Sequence, residues 1–598
     1  LKRGMDFNTN TLQNERDRIT KVFKEQGYFY FNKEYIVYEV DSNYTGNRVS
    51  LEVKINRINE NNPDLKPENH KPYKINRISV LTSYTSKFED TTTFDTVQYR
   101  GLNLLYFQKK VIVKPSTIRK AIIFNSEEIY NSDRVEQAYQ RLNSLNIFKF
   151  INIKFTESNK PGYLDCQIQL SPLLKQSFSI ETEGTHSLGG NLGIGGNVNY
   201  RNKNLFKGAE LLEFKIKGGL EFQRNTLTSE TAEDKKLFLF NTIEIGPELN
   251  LSFQKFLLPF RVRNKKILSP TTTVTTAYNY QLRPEFERRI TNFSFNYNWR
   301  KGNYKKFIAT LFEINGVKIE NTELLTERLR DIQDQTLLNS YQSHLTTASR
   351  FTYIFNNQEA IKQQYVTFFT GNIEFAGNTL RVFNNLSNSI QNEGGNYLIF
   401  GLRYAQYIRN ELDYRVYRSF LNNSNTVAFR AYTGIGVPYG NSTALPFIKS
   451  FFVGGSTDIK AWEYRRLGPG SYHPTELQAG IEQTGDIKIE TNAEYRFDII
   501  KFNQNFIFEG AAFVDAGNVW ILEPDETRPG ANFSQKRFYK EFAVGGGIGG
   551  RLNFGFFVIR LDFAKKLHDP SQPEGERWVG NKLGTSTGLF NFGIGYPF

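Results

Sequence analysis

From about residue 175 to Phe598 the chain alternates, one residue at a time, between apolar and polar side chains. Phe293, Phe295, Tyr297 and Trp299 are interleaved with Asn292, Ser294, Asn296, Asn298 and Arg300. Ala493, Tyr495 and Phe497 alternate with Glu494, Arg496 and Asp498, and Phe557, Ile559, Leu561 and Phe563 with Val558, Arg560, Asp562 and Ala564. The run Phe590, Phe592, Ile594, Tyr596, Phe598 is spaced by Asn591, Gly593, Gly595 and Pro597. Successive side chains of a strand point to opposite faces. Each run therefore makes a strand with one aromatic face and one charged or small face, and none suits a helix of 3.6-residue period. About sixteen strands are expected, starting near residues 176, 192, 209, 239, 272, 288, 305, 349, 365, 397, 425, 488, 504, 543, 556 and 588.

Two architectures use such alternation. A soluble sandwich turns the apolar face to a core and the polar face to water. A transmembrane barrel turns the apolar face to lipid and the polar face to its lumen. The number and length of the runs, the aromatic dominance of the apolar face and the terminal Phe598 favour the barrel. Lipid also demands that every backbone group be paired, which a closed barrel achieves. The longest interval between strands, about residues 441–487, follows the eleventh. With both termini on the periplasmic side, parity places that loop outside the cell, and loops of this length are usually functional.

Composition agrees with that division. The 598 residues include 52 Phe, 32 Tyr and 4 Trp, 15% aromatic, yet mean hydropathy is −0.49. Two-faced strands reconcile the two numbers. No run of about 18 apolar residues exists, which excludes a spanning helix but not a barrel. The single cysteine, Cys166, excludes an internal disulfide framework and a cysteine metal cluster. High aromatic content argues against disorder. His70, His186, His344, His473 and His568 are scattered without zinc spacing, and no calcium-loop motif occurs, so no metal or cofactor is expected. The net charge of +14 is spread along the chain with no nucleic-acid recognition module, which points to anionic lipid headgroups or lipopolysaccharide instead.

Residues 1 to about 172 read differently. Asn14–Lys24 is a polar-rich helix stopped by Gly27, followed by strands Tyr35–Val40 and Val49–Ile55 around the turn Ser42–Asn47. A second unit follows, with strand Tyr73–Val80, helices from Pro115 and from Ser132 (a plausible N-cap), and strands Phe150–Phe155 and Leu164–Leu170. Its order is β-α-α-β-β. The first unit lacks the opening strand, as a chain truncated upstream would. Leu1-Lys2-Arg3-Gly4 carries no signal peptide, so a leader or a lipidated cysteine is expected upstream if present. Expected domains are a partial unit over 1–58, a complete one over 72–172 and the barrel over 175–598.

Two motifs imitate chemistry. Gly584-Thr585-Ser586-Thr587-Gly588 fits the pattern of a serine-hydrolase elbow but sits in a turn before a strand, where the elbow needs a helix after it. Gly545-Gly546-Gly547-Ile548-Gly549-Gly550 fits a dinucleotide pattern without the following helix, and reads as a glycine-rich barrel strand. Neither supports an enzyme.

The combination resembles the BamA/TamA family of outer-membrane assembly factors, most of all its lipoprotein TamA-like (TamL) branch. The resemblance implies periplasmic POTRA domains of order β-α-α-β-β, an α+β part, before an all-β sixteen-strand antiparallel transmembrane barrel in the outer membrane of a Gram-negative bacterium. In the long loop, Gly454-Gly455 precedes Ile459-Lys460-Ala461-Trp462, which resembles the family's loop-six motif Val-Arg-Gly-Phe. Lys460 replaces the arginine, so a planar fork becomes a point charge. Family likeness implies that this loop folds into the lumen and that its cation meets acids on nearby strands, here Glu494 and Asp515. The last strand (Phe590, Phe592, Gly593, Ile594, Gly595, Tyr596, Phe598) resembles the C-terminal recognition sequence of outer-membrane proteins, and the seam between first and last strands a lateral gate. The implied function is insertion or export of outer-membrane proteins or lipids, without catalysis, with a TamB-like periplasmic protein as partner. A two-partner-type secretion channel shares the architecture, and a barrel lipase using Ser586 is the enzymatic alternative.

Overall fold

Helical and alternating periodicity segregate into two units in the computed structural model: Leu1–Ser177 with Asn202–Leu212, and Phe178–Arg201 with Glu213–Phe598. The structure describes the chain except residues 1–3, 42–47, 61–63, 86–92, 108–110, 187–191, 223–241, 259–267, 284–285, 322–325, 327–341, 359–363, 388–394, 400, 421–423, 475–482, 504–505 and 581–587. The expected turn at Ser42–Asn47, the N-terminal Leu1 and Ser586 therefore lie outside the described residues.

In the first unit, helix α1 (Thr9–Glu25) starts earlier than expected because Asn8 caps it, its side chain accepting from the Asn10 N–H at 2.8 Å. Strands β1 (Ile36–Asp41) and β2 (Ser50–Ile55) follow as an antiparallel pair. Next come β3 (Lys74–Leu81), β4 (Asp95–Tyr99), β5 (Leu102–Tyr106), α2 (Pro115–Ala121), α3 (Ser132–Ser144), β6 (Phe148–Glu157) and β7 (Tyr163–Pro172). They build a five-stranded sheet in the order β4-β5-β3-β7-β6, with β3 parallel to both its neighbours. The expected elements β-α-α-β-β occur in that order as β3, α2, α3, β6 and β7, and the β4–β5 hairpin is an unexpected addition between β3 and α2. It was hidden because β4 is short and polar at the sheet edge. Its turn residues Arg100 and Gly101, at φ 48° and 80°, fit a tight hairpin turn. Asn131, not Ser132, caps α3: its side chain accepts from the Arg134 N–H at 3.0 Å. The core gathers Ile78, Val80, Leu104, Ile118, Leu142, Ile168 and Cys166. Burial pushes the Cys166 thiol well above its usual range, so it stays protonated and inert.

Among the described residues the second unit is a large antiparallel sheet of sixteen long strands. They are β8 (Gln176–His186), β9 (Leu192–Lys203), β10 (Leu211–Phe222), β11 (Thr242–Phe253), β12 (Leu268–Leu282), β13 (Phe286–Lys301), β14 (Lys305–Asn321), β15 (His344–Asn356) and β16 (Tyr365–Ala376). After helix α4 (Asn378–Ser387) and two short strands, β17 (Leu398–Ile399) and β18 (Leu402–Tyr404), come β19 (Tyr407–Phe420), β20 (Asn425–Pro438), β21 (Ile487–Asn503), β22 (Phe506–Trp520), β23 (Ala543–Asn553), β24 (Val558–His568) and β25 (Leu589–Ile594). Consecutive long strands are neighbours, β16 pairing with β19 from Tyr365↔Arg418 to Ala376↔Tyr407, and β25 is followed in the sheet order by β8. Fifteen starting points fall within about five residues of expectation. The tenth is Tyr407 instead of 397, because Gly401 at φ 74° turns the chain and leaves β17 and β18 as a loop hairpin. Helix α4 was also missed, since ten residues between strands carry too weak a helical period.

The two faces of this sheet have inverted exposure. On β23–β25, Ile548, Phe590 and Ile594 are exposed to 66%, 68% and 72%, while Arg551 and Asp562 on the opposite face are 0% exposed. A soluble sandwich requires the reverse.

Candidate functional site

Residues 451–467 of the long loop form a hairpin-like excursion closed by isolated bridges between Phe451 and Gly485 and between Val453 and Leu467. Gly454 and Gly455 sit at φ 104° and 103°, a region closed to most side chains. That bend lets the Gly455 N–H donate to the Trp462 carbonyl at 2.8 Å and brings the chain back on itself. The loop's apolar residues then pack on the inner face of the sheet: Val453, Ile459, Ala461 and Trp462 form one cluster with Phe513, Val519, Ala543 and Ala564.

Lys460 is fully buried there. Its Nζ lies 3.0 Å and 3.1 Å from the two carboxylate oxygens of Asp515 on β22, and its backbone N–H donates to the same carboxylate at 3.3 Å. The ammonium also stands 4.0 Å from the centre of the Phe513 ring. Both side chains of the pair are 0% exposed, a setting in which either charge alone is costly. The structure thus brings Lys460 and Asp515 together. Glu494 is placed elsewhere: its carboxylate pairs with Arg551 at 3.0 Å and Arg496 at 2.7 Å. Lys460 therefore acts on Glu494 as a neighbouring charge and not as a direct ion-pair partner. Two neighbouring guanidiniums offer it closer partners than the loop does.

Sequence reasoning missed most of the fastening. Asp458, two residues before Lys460, accepts from Lys488 Nζ at 2.7 Å. Lys488 also meets Glu490 at 2.8 Å, and Glu490 meets Arg430 at 3.1 Å. Asn492 Nδ2 donates to the Asp458 carbonyl at 3.2 Å and to Asp515 at 3.1 Å. Arg560 on β24 donates to the Ser456 carbonyl at 2.8 Å, and Asn591 on β25 to the Lys460 carbonyl at 2.9 Å. The loop is therefore held by β21, β22, β24 and β25 together. Alternation does place Lys488, Glu490, Asn492, Arg560 and Asn591 on the polar faces of their strands. What it cannot supply is their partner, fifteen or more residues away in sequence for most of these contacts.

Ala461 has a structural counterpart as well. A Cβ added at Gly545 on β23 would lie 2.6 Å from the Ala461 Cβ. The methyl group where the family motif has glycine is accommodated by a glycine opposite. The Gly545–Gly550 run lies within strand β23, as a glycine-rich barrel strand would.

The last strand departs from expectation. Alternation was expected to reach Phe598, but β25 ends at Ile594, and Gly595 at φ 85° turns the chain away. Phe590, Phe592 and Ile594 keep to the outer face. Tyr596 and Phe598 instead fold back against Arg496, whose guanidinium carbon lies 4.3 Å from the Tyr596 ring centre and 5.7 Å from that of Phe598. Arg496 Nη2 donates to the Phe598 carbonyl at 3.3 Å, and the Tyr596 hydroxyl to Glu509 at 2.8 Å. A cavity of about 390 Å³ adjoins this clasp, lined by Ser424, Arg496, Lys501, Glu509 and Asn553 among others. Gly593 belongs to the inner face, where any Cβ would meet the Arg560 guanidinium at 2.7 Å. Among the described residues no group of three His, Cys, Asp or Glu is arranged to hold a metal ion, and no helix is long and apolar enough to cross a membrane.

Comparison with known proteins bears on the architecture. A 100-residue stretch is 29% identical to the outer membrane protein assembly factor BamA of Neisseria meningitidis, covering 17% of this chain and 12% of that protein. The chain thus spans a small part of that relative in sequence. The crystal structure of BamA from Haemophilus ducreyi lacking POTRA domains 1–3 resembles it over 99% of this chain and 94% of that one, with a TM-score of 0.54 at 12% identity. CdiB from Acinetobacter baumannii is a more distant likeness, with a TM-score of 0.44 at 11% identity over 99% of this chain and 83% of that one. The Omp85 superfamily domain matches residues 163–598, well over half of the sequence, and the chain belongs to the Omp85 superfamily.

Proposed function

We propose that this chain is an outer-membrane assembly or export factor: a closed sixteen-strand transmembrane barrel whose first unit, built of POTRA-type modules, lies in the periplasm and recruits partners. The observation that carries the reading is the inverted sheet, apolar and exposed outside, charged and buried inside. Lipid is the solvent that makes exposed Phe590, Phe592 and Ile594 favourable. At the short-turn end Phe502, Phe506, Phe554 and Phe557 stack in series with ring centres 4.7–4.9 Å apart, as expected of an aromatic belt at a membrane interface. The sheet order, with β25 beside β8, supports closure.

The working element of this proposal is the seam. β25 has six residues and β8 eleven, so the last strand can satisfy only part of the first strand's edge, and unpaired strand edges accept other strands. A nascent outer-membrane protein or a lipid would pass there. The loop anchored by Lys460 reaches Asn591 on β25 and so stabilises the strand that borders the seam. By likeness to the TamA branch, and to its TamL lipoproteins, the partner is a large TamB-like periplasmic protein, and lipopolysaccharide surrounds the outer rim. The reading involves no catalysis, and Ser586→Ala is expected to leave complementation intact.

The test is a disulfide engineered between β8 and β25. It should abolish complementation of a deletion strain, with reductant restoring it. Undiminished complementation by the oxidised protein would overturn the seam. Large, stable ion conductance in planar bilayers would instead favour a two-partner-type secretion channel.

A further inference from the structure

Helix α4 is amphipathic in the inverted sense. Val382 and Phe383 are each exposed to 59%, whereas Asn384 is 3% exposed and donates to the Tyr404 hydroxyl at 3.0 Å. Arg381 is stacked on the Tyr397 ring at 4.4 Å. The helix thus holds Asn384 and Arg381 against the protein and leaves Val382 and Phe383 uncovered beside the exposed polar residues Asn378, Thr379 and Asn385, and two uncovered large apolar side chains are unfavourable in water.

Its position says what covers them. Arg350 on β15 points inward to Glu313 and Glu374, so by alternation Thr347 and Ser349 point outward. They interrupt an otherwise apolar outer row with hydroxyls. Thr347 faces Ile314 on β14, which is 40% exposed. On the other side Phe375 on β16 faces Ile408 on β19, which faces Val437 on β20, each about two-fifths exposed. Helix α4 starts just after Phe375 and lays its first turn on the polar gap: Thr379 Oγ1 lies 3.1 Å from Thr347 Oγ1, and the Gly377 N–H donates to the Thr347 carbonyl at 2.7 Å.

We infer that α4 is an interfacial helix whose Val382 and Phe383 side chains are inserted among the acyl chains of the outer leaflet, closing the polar gap in the lipid-facing band over β15. The inference rests on the barrel reading above. A helix in this position lies in the membrane plane, with its apolar side at the boundary of headgroups and acyl chains. Its polar side is here satisfied by the barrel's own loop residues Tyr397 and Tyr404 instead of by water. The site takes acyl chains of any source and does not discriminate headgroups.

The experiment uses the full chain, with Cys166→Ala removing the single native thiol and one new cysteine at a time. Val382→Cys, Phe383→Cys, Phe375→Cys (lipid-facing strand) and Glu574→Cys (outer loop, side chain 75% exposed) are labelled with an environment-sensitive fluorophore. Each protein is reconstituted in phosphatidylcholine vesicles containing brominated acyl chains. Expected is quenching at 382 and 383 of at least half that at 375, with none at 574. Quenching at 375 but not at 382 and 383 would overturn the inference while sparing the barrel. Absence at 375 as well would overturn both. A blue-shifted label at 382 or 383 in detergent that bromine leaves unchanged would signal a protein contact, and would also overturn it.

Discussion

Removing the cation at position 460 is the sharpest test of the loop anchor. In Lys460→Met the side chain keeps its length up to the ε position and loses its charge. Asp515, 0% exposed, would retain only the Asn492 amide at 3.1 Å and the backbone N–H of residue 460 at 3.3 Å. Breaking one side of a fully buried pair costs about 3–5 kcal/mol, and about 1.4 kcal/mol corresponds to a factor of ten in an equilibrium. Opening of the loop should therefore become more frequent by roughly two to three and a half powers of ten. Arg465 and Arg466 lie within the loop, so tryptic cleavage after them in detergent-folded protein reports that equilibrium when reclosing is fast. The double variant Lys460→Met with Asp515→Leu removes both charges and should recover most of the protection, because apolar replacement of a whole buried pair is often neutral or stabilising. Cleavage of Lys460→Met at the native rate would refute the anchor. A double variant as labile as the single one would refute the account of why it matters.

Three further outcomes are expected. Gly545→Ala places a methyl 2.6 Å from the Ala461 Cβ and should lower stability by about 1–3 kcal/mol through overpacking; adding Ala461→Gly should return most of it, measured as the thermal midpoint of the folded band on unheated gels. Tyr596→Phe removes the bonds to Glu509 at 2.8 Å and 3.0 Å at a cost of about 1–3 kcal/mol, so alkylation of a cysteine placed at 598 should quicken by roughly 5- to 150-fold. In the first unit, Glu128 is partly desolvated, which raises its pKa, but hydrogen bonds from Asn125 and the Arg134 guanidinium outweigh this and hold the carboxyl below its ordinary value. Its contribution to stability is complete above the unfolded pKa of about 4.3 and is lost as pH falls through the lower folded value, so Glu128→Gln should flatten the acid limb of unfolding measured on that unit's circular dichroism between about pH 5 and 3.

The strands of the second unit were legible because a period of two survives in sequence wherever the two faces meet different media. The same alternation put Lys488, Glu490, Asn492 and Arg560 on one face without saying what they hold. Lys460 and Asp515 were brought together by family likeness, and Glu494 was assigned on the same ground, although Arg551 and Arg496 claim it. Where alternation continued past a strand's end, as at Tyr596 and Phe598, periodicity misled. A glycine at positive φ ends pairing without disturbing the pattern of side chains. The β4–β5 hairpin and α4 were lost for the opposite reason: each is too short for its period to stand above local composition.

The sequence by itself determined which residues share a face, roughly where sixteen strands begin, and that no helix spans a membrane. Those are local properties, set by backbone geometry and side-chain polarity within a few residues. Tertiary structure alone decided which face is buried, that residues 451–467 lie against the inner face, that Lys460 meets Asp515 while Asp458 meets Lys488, and that the last three residues turn back onto Arg496. These depend on contacts between residues tens of positions apart. Such contacts form only when the sheet sets the distances, and the cost of burying a charge then selects among partners of opposite sign.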